Sequence, residues 1–214
     1  MEGELTSPLI IGFIGSFFLL AVLTLTSFVK ISVVFLILRN ALGLQQVPSN
    51  MIVMALAVIL SVFISLPVLQ ASLNALADVE IDAMTPEAIF ELVAVGLAPF
   101  QTFLAANIDP MQLDFFVGIA NEVWRGSGLV GEGSDFVIQV PAFMMSELTR
   151  AFEIGFLIYL PFVAIDLAVT GILMAMGMQQ VQPNIISVPF KLLIFVVIDG
   201  WLSLVEGLLT SYVT

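Results

Sequence analysis

The sequence contains no cysteine and no histidine, and only five of its 214 residues are lysine or arginine. Without cysteine there is no disulfide, no thiolate metal site and no thiol nucleophile. Without histidine the chain lacks the side chain that most often serves as a general base or a metal ligand near neutral pH. No glycine-rich phosphate loop ending in lysine occurs, so nucleotide hydrolysis of that kind is also absent. Cysteine and histidine chemistry is therefore excluded, and no catalytic residue, metal site or cofactor is expected. Charged residues make up 10% of the chain, against about 25% in a soluble domain, too few to clothe a polar outside.

Apolar residues are plentiful, at 60% of the chain. They concentrate in four stretches: Leu9 to Val29, continuing past Lys30 to Leu38; Met51 to Ala77, without a charge; Ile154 to Met178, interrupted by Asp166; and Ile185 to Val205, interrupted by Lys191 and Asp199. A helix of ~20 residues covers the ~30 Å hydrocarbon core of a bilayer, so each stretch has the length of a span. The N-terminus, MEGELTSP, is acidic where a signal peptide would be basic, so the first stretch reads as a retained segment.

The net charge of −12 is unevenly spread, and eleven of the 17 acids lie between Asp78 and Glu147, where Arg125 is the only base. Nucleic acid and anionic headgroups would both be repelled by this stretch. Thr85-Pro-Glu-Ala and Asp109-Pro-Met-Gln each combine an N-cap residue with proline at the first helical position. Two amphipathic helices are expected here, followed by a loop near Gly126–Ser134. Lys30 and Arg39 flank the junction of the first two stretches, which places that junction in the cytoplasm and the acidic insert outside. The chain thus divides into residues 1–77 (N-terminal apolar helices), 78–146 (an acidic, mostly helical extracytoplasmic insert) and 147–214 (a C-terminal helical hairpin).

Ionisable groups at membrane depth cost ~2.5–3.5 kcal/mol on insertion scales, and they usually face a partner or water. Lys30, Arg39, Glu147, Arg150, Glu153, Asp166, Lys191 and Asp199 form the candidate buried charge network. Glu147, Arg150 and Glu153 follow one another at i, i+3 spacing, which suits either a helix-surface ion ladder or a buried inter-subunit network. If the last two stretches fold as a hairpin about Met178–Gln179, Asp166 and Lys191 lie equally far from the bend and are expected to pair. Asp166 and Asp199 also suit a proton relay. Pro67, Pro161 and Pro189 are expected to kink their helices, because proline removes one helical hydrogen bond and crowds the preceding turn. Methionines surround a glycine in MAMGMQQVQP (Met174–Pro183), where their flexible side chains either fill gaps or deform around a passing chain.

Three segments carry a resemblance: TSFVKISVVFLILRNALGLQQVPSN (Thr26–Asn50), SELTRAFEIGFLIYLPFVAIDL (Ser146–Leu167) and VPFKLLIFVVIDGW (Val188–Trp201). They closely resemble the export-gate proteins of type III secretion, SctR of injectisomes and FliP of flagella. LGLQQVPSN looks more like the injectisome branch. The acidic middle resembles the family less.

The resemblance implies an all-α, membrane-associated fold of bent helical hairpins, four apolar segments with an acidic insert, assembled into an oligomeric cone. It implies a pentamer joined to SctS-type and SctT-type subunits and to an SctU-type switch protein in the bacterial inner membrane, with much of the assembly on the periplasmic side. Unfolded secreted proteins would pass through it, and its helices would meet neighbouring subunits as well as membrane lipid. In flagellar relatives a run of methionines at the hairpin tip narrows the channel. At the matching place stand Met178, Gln179 and Gln180, so a constriction here would be more polar. Read without the resemblance, the residues also suit a small-solute or proton transporter, or a structural scaffold without a pore.

Overall fold

A computed structural model describes residues 21–44, 48–77, 79 and 86–212. The beginning of the first apolar stretch and the expected cap at Thr85 lie outside the described residues. All regular structure among them is helical: α1 (Phe28–Ala41), α2 (Asn50–Ala77), α3 (Pro86–Asn107), α4 (Pro110–Val123), α5 (Phe136–Ala175), α6 (Pro183–Val197) and α7 (Gly200–Thr210). Residues 21–25 are also helical and end in a bend at Thr26–Ser27.

The chain forms two compact units, and neither is a continuous segment. One comprises residues 1–29 and 61–147, the other residues 30–60 and 148–214. This division differs from the three sequential segments expected from composition. It falls inside α1, α2 and α5, because contacts between distant segments define the units and composition defines only runs.

In the first unit Leu25, Leu104, Ile108, Ala142 and Phe143 form a buried cluster, with Leu97, Phe100, Phe116 and Phe136 packed against it. The rings of Phe103 and Phe143 lie 5.8 Å apart. α3 and α4 meet at a 115° bend. Asp109 caps α4 by accepting from Met111 N at 2.8 Å, with Pro110 at the first helical position, as Asp-Pro predicts. Ser146 holds the bend from across the unit: its hydroxyl accepts from Asp109 N at 2.9 Å and donates to Ala142 O at 2.8 Å. The loop after α4 is tied by Asn121, which accepts from Gly131 N at 2.9 Å and donates to Gly131 O at 3.1 Å.

In the second unit Leu38, Ala41, Leu42, Phe162 and Phe195 make the core. Trp201 sets its ring against Phe195 and Phe35 at 5.3 and 6.2 Å, both edge-on. Gly155 lets α1 approach α5 closely, since a Cβ there would clash with Ile37 Cδ1.

Three expectations about the spans change. The reading Met51 to Ala77 agrees with α2 to within one residue, but the stretch expected from Ile154 begins at Phe136 and gives a helix of 40 residues. At 1.5 Å per residue α5 is ~60 Å long, about twice the hydrocarbon thickness. The last stretch is broken at Ile198–Asp199, where α6 and α7 diverge by 61° and Asp199 takes a left-handed backbone, φ 50°. α3 and α4, read as amphipathic insert helices, together also reach membrane-span length and apolarity. α2, α5 and α6 continue through Pro67, Pro161 and Pro189, whereas the two bent pairs turn at short breaks elsewhere.

Candidate functional site

α5 and α6 form a helical hairpin, and the seven residues from Met176 to Gln182 connect them. The turn begins with a glycine cap. Gly177 adopts φ 73°, Gly177 N donates to Met174 O at 3.0 Å, and Met178 N reaches back to Leu173 O at 2.9 Å. Those bonds satisfy carbonyls that a helix end otherwise leaves open, and they need a residue free of Cβ strain in the left-handed region. Pro183 then starts α6 at a position where its missing N–H costs nothing. The backbone of the tip is therefore well fixed.

Its side chains are largely open to the surface. Met174, Met176 and Met178 are exposed, as are Gln179 and Gln180, while Val181 is half-buried. A cleft of about 360 Å³ beneath them is lined by Thr170, Leu173, Met174, Met178, Gln179 and Val181. A second, almost wholly apolar groove of about 460 Å³ runs from Met176 and Met178 along Ile172, Ile186 and Phe190. The tip thus presents unbranched, multi-rotamer side chains on a rigid turn. Such a surface deforms without moving its backbone.

Below the tip the hairpin is held by charge. Lys191 Nζ donates to Asp166 Oδ2 at 2.6 Å and to the carbonyl oxygen of Ala41 at 3.0 Å. Lys191 is buried, with its side chain 5% exposed, and the Asp166 side chain is 39% exposed. One ammonium thereby joins α5, α6 and the C-terminal end of α1, whose last carbonyls favour a cation. Asp166 Oδ1 is buried without a hydrogen-bond partner, so Lys191 compensates the carboxylate through one oxygen only.

Lys30 is almost completely buried, donates to Ser211 Oγ at 3.0 Å and lies 3.6 Å over the ring of Tyr212. Arg39 donates to Pro48 O at 3.3 Å and to Asn50 Oδ1. Glu147 is fully buried, Arg150 is half-buried, and both have partners. Glu153 and Asp199 are exposed on this chain and are not buried charges within it. Asp166 is committed to Lys191 while Asp199 stands at a helix break, so the relay that these two carboxylates suggested finds no support in their placement.

Sequence reasoning did not identify the carbonyl of Ala41 as the third member of the Lys191 cluster, nor Gly177 as the cap of the tip. Gly177 carried a usable signal, a glycine just past the last apolar turn with a proline following. A backbone carbonyl carries none.

The chain matches the FliP family model over residues 12–208. It is 49% identical to Yop proteins translocation protein R of Yersinia pestis over 188 residues, 87% of each chain. It is 47% identical to the probable translocation protein y4yL of Sinorhizobium fredii over 194 residues, 90% of this chain and 87% of that one. With the virulence protein YscR of Salmonella typhimurium the identity is 43% over 205 residues, 93% and 95% of the two chains.

Proposed function

Because this chain belongs to the FliP family, we propose that it is an injectisome-type export-gate subunit of type III secretion, one wall of a channel for unfolded proteins. The observation that carries the reading is the hairpin tip, where Met178, Gln179 and Gln180 stand exposed on a backbone closed by the Gly177 cap. A seal around a moving chain needs a fixed ring with compliant lining, and this turn supplies both parts. Methionine gives an apolar, deformable contact. The two glutamines make the lining partly polar, able to bond with a passing backbone.

The unit works as an oligomer, a pentamer with SctS-type and SctT-type subunits and an SctU-type switch protein in the bacterial inner membrane. Large exposed side chains support this reading: Phe152, Phe156, Leu157 and Leu160 on α5 are left uncovered by the single chain. At ~60 Å, α5 also extends well beyond what lipid tails alone can cover. Subunit neighbours account for the excess. The role is transport, with the energy supplied elsewhere.

Co-expression with the two small membrane subunits tests the assembly, and conductance tests the tip. A stable complex of several copies with both subunits is expected, and a lone monomer or dimer counts against the gate. In that complex Gln179→Ala with Gln180→Ala is expected to raise ion leak, and unchanged conductance would argue against a constriction at these residues.

A further inference from the structure

The exposed face of α4 is fitted for a partner that neither lipid nor another copy of this chain supplies. Met111, Phe115, Ile119 and Val123 follow one another at i, i+4 spacing, and all are exposed, at 76, 58, 40 and 72%. Residues four apart lie on one side of a helix, so these four make one apolar ridge. Beside it runs a second row, Asp114, Gly118 and Glu122, also exposed.

Gly118 is the informative member of that row. A glycine inside a helix is destabilising relative to alanine. Its backbone is not in the positive-φ region, and a Cβ built there would meet nothing within 4 Å. Neither the conformation nor the packing of this chain requires the missing side chain. It leaves a notch between two carboxylates, bordered by Phe115 and Ile119, into which an outside side chain can reach.

Hydrocarbon is a poor occupant, because Asp114 and Glu122 would enter it with the ridge, and carboxylates at membrane depth are costly. Anionic headgroups are repelled by the same residues and by Asp109, Glu132 and Asp135 around them. A second copy offers only one exposed base against these carboxylates. Of the five basic residues only Arg125 is exposed, since Lys30 and Lys191 are buried and Arg39 and Arg150 are half-buried and engaged.

We infer that this face of α4 docks a helical segment of another polypeptide, one that carries an apolar ridge flanked by lysine or arginine, with one side chain seated over Gly118. The ridge supplies apolar burial, and the two carboxylates set register and select a basic partner. The inference does not depend on the constriction at the hairpin tip.

A photo-crosslinking amino acid at Phe115 in the full assembled protein, in secreting cells, tests it. The expected result is an adduct with a different polypeptide whose crosslinked segment is apolar with flanking bases. Its yield should fall about tenfold when Asp114 and Glu122 are both changed to Lys, and similarly with Gly118→Leu, while the oligomer still forms on native gels. Asp114→Asn with Glu122→Asn should lose less than the charge reversal. In vitro, a synthetic amphipathic helix with leucine at i, i+4 flanked by lysine should compete with the adduct, and the same helix with glutamate for lysine should not. An adduct only with a second copy or with lipid overturns the inference. So does no adduct at all, or an adduct whose yield is indifferent to charge reversal in an oligomer that still forms.

Discussion

Two levels of one hairpin are built on opposite principles. At the waist, Lys191 holds Asp166 and the Ala41 carbonyl at once, and Gly155 lets Ile37 press against α5. Every group there has a set place. Nine residues further along α5, at the tip, order resides in the backbone alone, and the side chains of Met174, Met176, Gln179 and Gln180 are left exposed. The difference teaches where a flexible lining is tolerable. Exposed side chains with many rotamers make a defined surface only if the turn that carries them is held, and the waist and the Gly177 cap do that holding.

The most damaging way to break the contrast is at the waist. Asp166→Asn leaves a buried ammonium with neutral acceptors only, and Lys191→Met strips Asp166 of its compensating charge. Removing one partner of a fully buried pair costs about 3–5 kcal/mol. Because Asp166 is partly exposed, about 2–3 kcal/mol is expected here, read as a lowered melting temperature of the detergent-solubilised complex. Exchanging the two charges should restore part of the loss. If the exchanged variant recovers no more assembly than either single variant, the pair is not what holds the waist.

A smaller effect is expected at the cap. Gly177→Ala places a Cβ in the left-handed region, costing about 1–2 kcal/mol with no clash, since nothing lies within 4 Å. Gly171→Ala sharpens the comparison, being helical and equally open, and should be neutral or stabilising by up to about 1 kcal/mol. Equal effects of the two alanines in a thermal-shift measurement would remove the cap from the account. The least effect on stability belongs to the tip itself. Gln179→Ala with Gln180→Ala should stay within about 0.5 kcal/mol, as exposed positions do, while ion leak through the proposed gate rises.

Much of this hairpin was legible from residue order. Asp166 and Lys191 stand equally far from a Gly-Met-Gln-Gln turn, and the structure brings them to 2.6 Å. α2 was legible because a chargeless run lies between Pro48-Ser49-Asn50 and Asp78. The start of α5 was not. Gln139, Pro141 and Glu147 dilute its first turns, so the hydropathy of the run hides a helix that begins at Phe136. Gln139 is held by Gly133 O at 3.1 Å and Glu147 is buried, and neither tertiary fact shows in composition. The break at Asp199 was also missed as a break. Asp-Gly marked the place, but an aspartate entering the left-handed region is settled by packing around Phe195 and Trp201.

Lys30 has a consequence in time as well as in space. It is made early, yet its hydroxyl and ring partners, Ser211 and Tyr212, come about 181 positions later. At ~5–20 residues per second, translation leaves a gap of roughly 10–40 s before that clasp can close. During that interval the nascent chain carries an ammonium short of two of its eventual partners, and a ribosome that stalls before residue 211 releases a product that never acquires them. The clasp therefore joins the start of α1 to the residues just after α7 only once the whole intervening chain has been made.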